Sequence, residues 1–199
     1  MMMMMTRKWM IRLALGLGLV WSGGVAPASG QEDFGDLASM MQAMMQGGTN
    51  KPVNFRAIRD WMPGTLAGME RQSAKGERTS AMGMTISFAE AEYGGAEGSF
   101  YLKVTDISAL GQMAQLAQMG WMHMDLDRET DTEIERTTTI NGRRAMERFN
   151  SVRSEGEIQL FDSERFMIEL RGFRVDLDML RKALGELDLE GLAALEPDA

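Results

Sequence analysis

Phe34, Leu37, Met40, Met41, Met44 and Met45 recur at steps of three and four residues. That is the period of one face of an amphipathic helix, and it predicts a helix over Gln31 to Gln46. Gly47-Gly48-Thr49-Asn50 ends the pattern and Lys51-Pro52 continues a linker. Beyond it Asn54 is a suitable N-cap for a short helix carrying Phe55, Ile58, Trp61 and Met62, stopped by Pro63-Gly64.

The period then falls to two. Met84, Ile86 and Phe88 alternate with Thr85, Ser87 and Ala89, and Phe100, Leu102 and Val104 alternate with Tyr101, Lys103 and Thr105. The glycines at 94, 95 and 98 lie between the two runs, so they read as a hairpin, preceded by a strand around Gly68 to Ala74. Helical spacing returns from Ser108 to Met122, with Leu110, Met113, Ala114, Ala117 and Trp121 on one face and Ser108 as a cap. Thr132 to Ile140 alternates again. Asn141-Gly142 then supplies the two residues a type I′ turn requires, with a return strand from Arg143 to Ser151. Glu157–Phe161 and Arg165–Arg171 form another hairpin around Asp162-Ser163-Glu164, placing Ile158 and Leu160 opposite Phe166, Ile168 and Leu170. Leu177, Leu180, Leu184 and Leu187 make a closing helical stripe, and Asp188 starts a last short turn.

Strands joined by tight turns pair antiparallel, because parallel neighbours need long crossovers. Helices must cover at least one apolar face of such a sheet. The expected fold is therefore a single α+β domain, an antiparallel sheet of about six or seven strands covered by helices, over residues 53–199. A Met-rich helix and linker occupy 29–52.

Residues 1–28 read as a secretory signal peptide. Arg7, Lys8 and Arg12 give a basic start, Leu13 to Trp21 is apolar but short of a membrane span, and Ala26-Pro27-Ala28 has the small residues of a cleavage site. Cleavage is expected after Ala28, or alternatively after Gly30; an N-terminal anchor is the competing reading. No second long apolar run follows, so no stable membrane span is expected in the mature chain. Removing the three basic residues of the leader takes the formal charge from −8 to −11. That balance argues against nucleic acid and anionic membrane surfaces as partners. With no cysteine the chain needs no disulfide machinery, and a periplasmic or secreted bacterial destination fits.

The run Asn141-Gly142-Arg143-Arg144-Ala145, the run Arg153-Ser154-Glu155-Gly156-Glu157-Ile158, then Arg165-Phe166-Met167-Ile168-Glu169-Leu170 and a Leu-rich terminal helix resemble the second half of a class of small exported bacterial proteins. More distantly, the order of elements from Val53 to Leu195 is similar to the Mog1/PsbP-like sandwich. That resemblance implies a helix-covered antiparallel sheet serving as a non-enzymatic accessory or binding domain. It carries no functional residues across.

The absence of cysteine and the presence of one histidine, His123, remove thiol catalysis, iron–sulfur clusters and every site needing two imidazoles. No G-x-S-x-G elbow and no phosphate-binding glycine loop is present. Carboxylate pairs remain. Glu90 and Glu92 lie two apart on one strand face, and Asp125, Asp127, Glu129, Asp131 and Glu133 alternate along another stretch. Paired carboxylates can hydrolyse glycosides, but acidic runs are usually solvated surface. The stretch from Asp125 starts like a calcium loop, yet Thr130 stands where glycine is needed and Arg136 where the closing Glu belongs.

Methionine is the unusual feature: there are 21, of which Met1 to Met5 and Met10 belong to the leader. Thioethers are soft ligands for Cu(I). Met122, His123 and Met124, beside Trp121, form the candidate metal site, and Met40-Met41 with Met44-Met45 a second. The competing reading is that these methionines fill a core or line an adaptable contact surface. Neighbouring helical residues diverge, so Met122, His123 and Met124 converge only where the helix has ended; otherwise Trp121 is buried and His123 trails the helix. The expected function is a non-enzymatic exported module, without a cofactor, binding a protein or small ligand in the cell envelope. A periplasmic Cu(I) or Ag(I) binder and a carboxylate-based hydrolase are the alternatives.

Overall fold

A computed structural model describes residues 51–81, 84–96, 98–163 and 165–197, with the backbone alone at Ala81, Gln112, Met113, Ala117 and Met122. The signal peptide expected over 1–28 and the Met-rich helix expected over 31–46 lie outside the described residues.

The strands are β1 (Thr65–Leu66), β2 (Met69–Ala81), β3 (Met84–Gly94), β4 (Ser99–Asp106), β5 (Asp127–Glu129), β6 (Glu133–Ile140), β7 (Arg143–Asn150), β8 (Glu155–Asp162) and β9 (Phe166–Phe173). The helices are α1 (Phe55–Trp61), α2 (Gln112–His123), α3 (Leu177–Gly185) and α4 (Leu189–Ala193), with a 3-10 turn at Ser108–Leu110. Among the described residues the nine strands form one antiparallel sheet in the order β1-β2-β3-β4-β9-β8-β7-β6-β5. The sheet is antiparallel with helices, as the periodicities predict, but it has nine strands instead of six or seven. The two additions are β1 and β5, of two and three residues, too short to show a period. The strand expected over Gly68 to Ala74 runs on to Ala81, because its polar positions still pair with β3.

Two meanders, β1–β4 and β5–β9, meet where β4 pairs with β9 in a register from Ser99↔Phe173 to Asp106↔Phe166. One face of the sheet carries Ala89, Ala91, Phe100, Leu102, Val104, Ile158, Leu160, Ile168 and Leu170, all buried. α1 covers its β2–β3 half and α3 its β8–β9 half. The alternation in β3 does not itself say which set faces the core. The large residues Met84, Ile86 and Phe88 do not face the core; the small Ala89 and Ala91 do, with Tyr93. The reason is steric. α1 lies so close that a Cβ added at Gly76, across from Ala89, would sit 2.6 Å from Phe55 Cδ2. α3 approaches as closely on its half, where a Cβ at Gly156 would meet Leu180 Cδ1 at 2.6 Å.

The capping chemistry agrees in part. Asn54 Oδ1 accepts the Arg56 N–H at 3.0 Å, as expected of an N-cap. Asp176 and Asp188 accept from Met179 and Gly191 in the same way at the starts of α3 and α4. Ser108 does not cap α2. It lies inside the 3-10 turn, and its own N–H donates to Asp106 Oδ1 at 2.9 Å.

Buried charge on the core face is paired. The Glu147 carboxylate accepts from Arg181 Nη2 of α3 at 2.6 Å and Nε at 2.9 Å, and from Arg136 of β6. Burial alone would raise its pKa, but the two guanidinium groups hold it below the ordinary carboxylate range. Asp162 is paired with Arg143 in the same manner. Burial pushes the Tyr93 hydroxyl up to about 12, and it donates to the Pro63 carbonyl at 3.0 Å.

Asn141-Gly142 forms the β6–β7 turn, with φ of +50° and +77°. Valine at 142 would meet no steric wall but would resist that φ, so Gly142→Val should lose about 1 kcal/mol or more of stability. Denaturant melts measure this, and an unchanged midpoint would contradict the turn.

Candidate functional site: the open face of the sheet

The second face of the sheet is organised by the path of the chain after β4. That strand is central, and β5 lies at the far edge beyond β9, β8, β7 and β6. At about 4.8 Å per strand the connection must cross roughly 24 Å. The 3-10 turn and α2 supply that length, and they cross on the face opposite α1 and α3. Trp121 of α2 packs edge-on against Phe161 of β8, with ring centroids 5.3 Å apart at 83°. Past the helix, the Met124 carbonyl accepts from Arg144 Nη2 and from Thr137 Oγ1.

The seam beneath α2 is poorly satisfied. Thr105 Oγ1, Trp121 Nε1 and Arg144 Nε are buried and have no hydrogen-bond partner among the described residues. Each such group costs about 1–3 kcal/mol. α2 also leaves apolar surface outward: Leu116 is 53% exposed, Met119 56% and Met124 45%.

Clear of α2, the face is a lattice of alternating charge. One cross-strand row reads Lys75, Glu90, Lys103, Glu169, Gln159 over β2, β3, β4, β9 and β8. The next reads Glu92, Tyr101, Arg171, Glu157, Arg148, Glu135, Arg128 from β3 to β5. Opposite charges directly across strands stabilise the pairing. Glu90 is buried, 2.7 Å from Lys75 Nζ and 3.4 Å from Lys103 Nζ. Burial raises its pKa, but Lys75, the Tyr101 hydroxyl and Lys103 together bring it below the ordinary value. Burial and the bond to Glu90 raise the Tyr101 hydroxyl. Glu135 is held low, against its own desolvation, by Arg128 and by Arg148 at 2.6 Å. Glu169 is the exception. Burial raises it, and the nearby Glu157 adds to that, although Arg171 and Lys103 oppose the shift. The Glu90, Glu135 and Glu157 carboxylates sit low, while the Lys75, Arg128, Arg148 and Arg171 head groups stand out in solvent.

The residues singled out from the sequence fall as follows. His123 is the last residue of α2 and Met124 its C-cap in extended conformation, and both are exposed. The helix therefore runs through Met122 and ends between His123 and Met124. The Met122 side chain lies outside the described residues. The helical neighbour of His123 one turn back is Met119. Trp121 is half-buried, and His123 closes the last turn of the helix. Met113 and Ala117, expected beside Trp121, are backbone-only positions here. Met40, Met41, Met44 and Met45 lie outside the described residues. Glu90 and Glu92 share the open face, but Glu90 is locked in ion pairs while Glu92 is exposed, with Ser73 Oγ at 3.5 Å. Asp127–Glu129 is strand β5, extended and paired with β6, so this stretch does not curl into a calcium loop. Among the described residues no three His, Asp or Glu side chains converge as metal ligands.

Lys103, Tyr101, Glu169, Arg171, Glu157 and Arg148 were not picked out from the sequence. Their signal is the polar half of each alternating strand, which acquires meaning only once β4 is paired with β9. A polar depression of about 340 Å³ lies elsewhere, at the β2 edge, lined by Arg59, Asp60, Arg71, Gln72, Ser73 and Ala74. Arg59 is already paired with Asp60, and Arg71 donates to the Met62 carbonyl, so it offers few unengaged groups. No helix among the described residues is long and apolar enough to cross a membrane. No protein-family model, curated protein or solved structure matches the chain.

A carboxylate whose folded pKa is raised favours the fold while protonated and loses that contribution as pH rises through the raised value. Glu169→Gln should therefore melt higher than the parent at pH 7, with the advantage gone below about pH 4, under the ordinary carboxylate pKa. Thermal melts across pH check this. A variant that melts lower at pH 7 would show that the Arg171 pair outweighs the burial.

Proposed function

We propose that this chain is an exported, non-enzymatic binding or accessory protein of the bacterial envelope, and that the charge lattice on the open sheet face is its recognition surface. The observation that carries this reading is the pairing itself. Glu90 and Glu135 are each engaged by two cations and held ionised, which suits a fixed pattern of charge better than proton transfer. Exposed arginines with planar, bidentate donors, around the Tyr101 ring, are the side chains that interfaces favour. The face has both signs in alternation, so a partner must match the pattern, which gives specificity more than raw affinity. The resemblance in element order to the PsbP-like domains points the same way, as does the basic, apolar, small-residue leader.

Charge reversal separates this face from the rest of the molecule. In native cells fixed with a short cross-linker, the parent should form a complex of defined mass. Arg148→Glu with Arg171→Glu should reduce it at least tenfold, while reversal of exposed Lys182 on α3 leaves it unchanged. Equal complex formation by all three would remove the lattice as the recognition surface.

A second reading, Cu(I) or Ag(I) binding at Met122, His123 and Met124, is favoured by one observation: His123 and Met124 are both open to solvent at the end of α2. Cu(I) titration against a competing chelator, repeated with Met122→Leu plus Met124→Leu, tests it, since that swap keeps volume and removes sulfur. The leading reading expects no difference between the two proteins. Micromolar or tighter binding lost in the double variant would establish the metal site.

A further inference from the structure

The two edges of the sheet are closed to different degrees. At one edge β5 pairs with Ile134 to Arg136 of β6, and the Thr137 N–H beyond it donates to the Leu126 carbonyl. At the other edge β1 pairs with Met69 and Glu70 alone, and the Arg71 N–H donates to the Gly64 carbonyl. From Ser73 to Ser80 no strand among the described residues lies on the outer side of β2, although its inner side pairs with β3 throughout. An edge strand of that length offers a row of N–H and C=O groups to another strand. It contains no proline, which would interrupt such pairing.

The residues along this edge complement themselves. The irregularity in the β2–β3 register lies before Ser73, so Ser73, Lys75, Glu77 and Thr79 share the open face of the sheet. We propose that two copies of the chain join edge to edge, β2 against β2 in antiparallel order, about a two-fold axis at Gly76. In that register Lys75 of each copy stands opposite Glu77 of the other, and Ser73 opposite Thr79. Opposite charges and paired hydroxyls are cross-strand neighbours that stabilise a sheet. The same residues disfavour the adjacent registers. An axis at residue 75 sets Lys75 against its own copy, and an axis at residue 77 does the same for Glu77, placing like charges directly opposite.

The surroundings accept this register. The Lys75 side chain is 76% exposed while its ammonium lies 2.7 Å from Glu90. Glu77 of the second copy therefore continues the alternating row Lys75, Glu90, Lys103, Glu169 by one more strand. On the other face Arg78 of one copy stands opposite Ala74 of the other. Ala74 is small and lies on the polar depression at this edge, so the long side chain has room. A two-fold contact uses the same patch on both copies and closes at two. The inference does not rest on the charge lattice being a recognition surface, because Arg148 and Arg171, which test that reading, lie on β7 and β9 away from the β2 edge.

The full chain as exported should sediment as a dimer in the micromolar range. Glu77→Lys leaves the Lys75–Glu90 pair in place and should weaken the dimer at least tenfold, since both crossing pairs become like-charged. Lys75→Glu should do the same. Mixing the two variants should restore a dimer with one copy of each, because both pairs are then opposite again. A second measurement reads the register without altering charge, and so stands even where a charge variant fails to fold. The chain has no cysteine, and residues 73 and 79 of one strand are about 20 Å apart. Ser73→Cys plus Thr79→Cys can therefore close disulfides only between copies, and should do so under mild oxidation at least tenfold faster than either single variant. A parent that stays monomeric, a mixture that does not recover the dimer, or single variants that link as fast as the double would each overturn the proposal. None of these outcomes alters the charge-reversal result, so the two readings stand or fall separately.

Discussion

The fold depends on the pairing of β4 with β9. Among the described residues the two meanders pair through these strands, extended by the Ile107 N–H donating to the Arg165 carbonyl, and the strands are far apart in sequence. Closing so long a loop costs chain entropy before any contact is gained. The return comes from the most buried rows of the sheet, Leu102 against Leu170 and Val104 against Ile168. At the end of this seam Asp106 is buried and bonded to Arg165, which also donates to the Leu195 carbonyl. An isolated bridge joins Val53 to Pro197 nearby. One buried ion pair therefore ties the central strands to both ends of the described chain. Removing either partner would leave a charge uncompensated inside the domain, an effect of about 3–5 kcal/mol in comparable sites.

The two faces of the sheet solve different problems. On the core face α1 and α3 approach closely, so the strands beneath them carry alanine and glycine at the points of contact. The large aliphatic residues lie between. On the open face α2 alone crosses among the described residues, and the rest of that surface must be compatible with water. Long side chains do this by laying their methylene stems along the sheet and raising their charged ends. Lys103 shows both parts of this: its stem crosses the face, its ammonium lies 3.4 Å from Glu90, and it also sits 4.7 Å from the Phe88 ring centroid. The lattice is thus a structural answer to an uncovered sheet before it is a recognition surface. In both roles Glu90, Glu135 and Glu157 are sunk, and Lys75, Arg128, Arg148 and Arg171 are exposed.

The connection from β4 to β5 has a topological cause with chemical consequences. A central strand followed by an edge strand on the other side forces a long crossing. The crossing carries the single histidine and much of the methionine of the described chain onto the open face. Such a segment packs against polar rows as well as Phe161, so it leaves polar atoms unpaired beneath and apolar atoms exposed above. The oddity of the composition and the oddity of the packing are the same feature seen at two levels.

Much of the local structure was legible in the residues. The Asn54 cap, the Asn141-Gly142 hairpin, the facing of Ile158 and Leu160 with Leu170 and Ile168, and the Leu180–Leu184 stripe all follow from rules that act within a few residues. Those rules concern backbone dihedrals, side-chain period and capping, and no distant contact overrides them here. The strand count was not legible, because β1 and β5 exist only through their partners. Which face of β3 is buried was not legible either: Ile86 and Phe88 are the more hydrophobic set, but the closeness of α1 selects Ala89 and Ala91. The lattice needed the β4–β9 register to bring Lys103 beside Glu169 and Tyr101 beside Arg171. Local sequence determines what each segment prefers to be, because propensity and period are short-range. Only the tertiary structure decides which polar residues meet, because that is set by loop closure and burial across the whole chain.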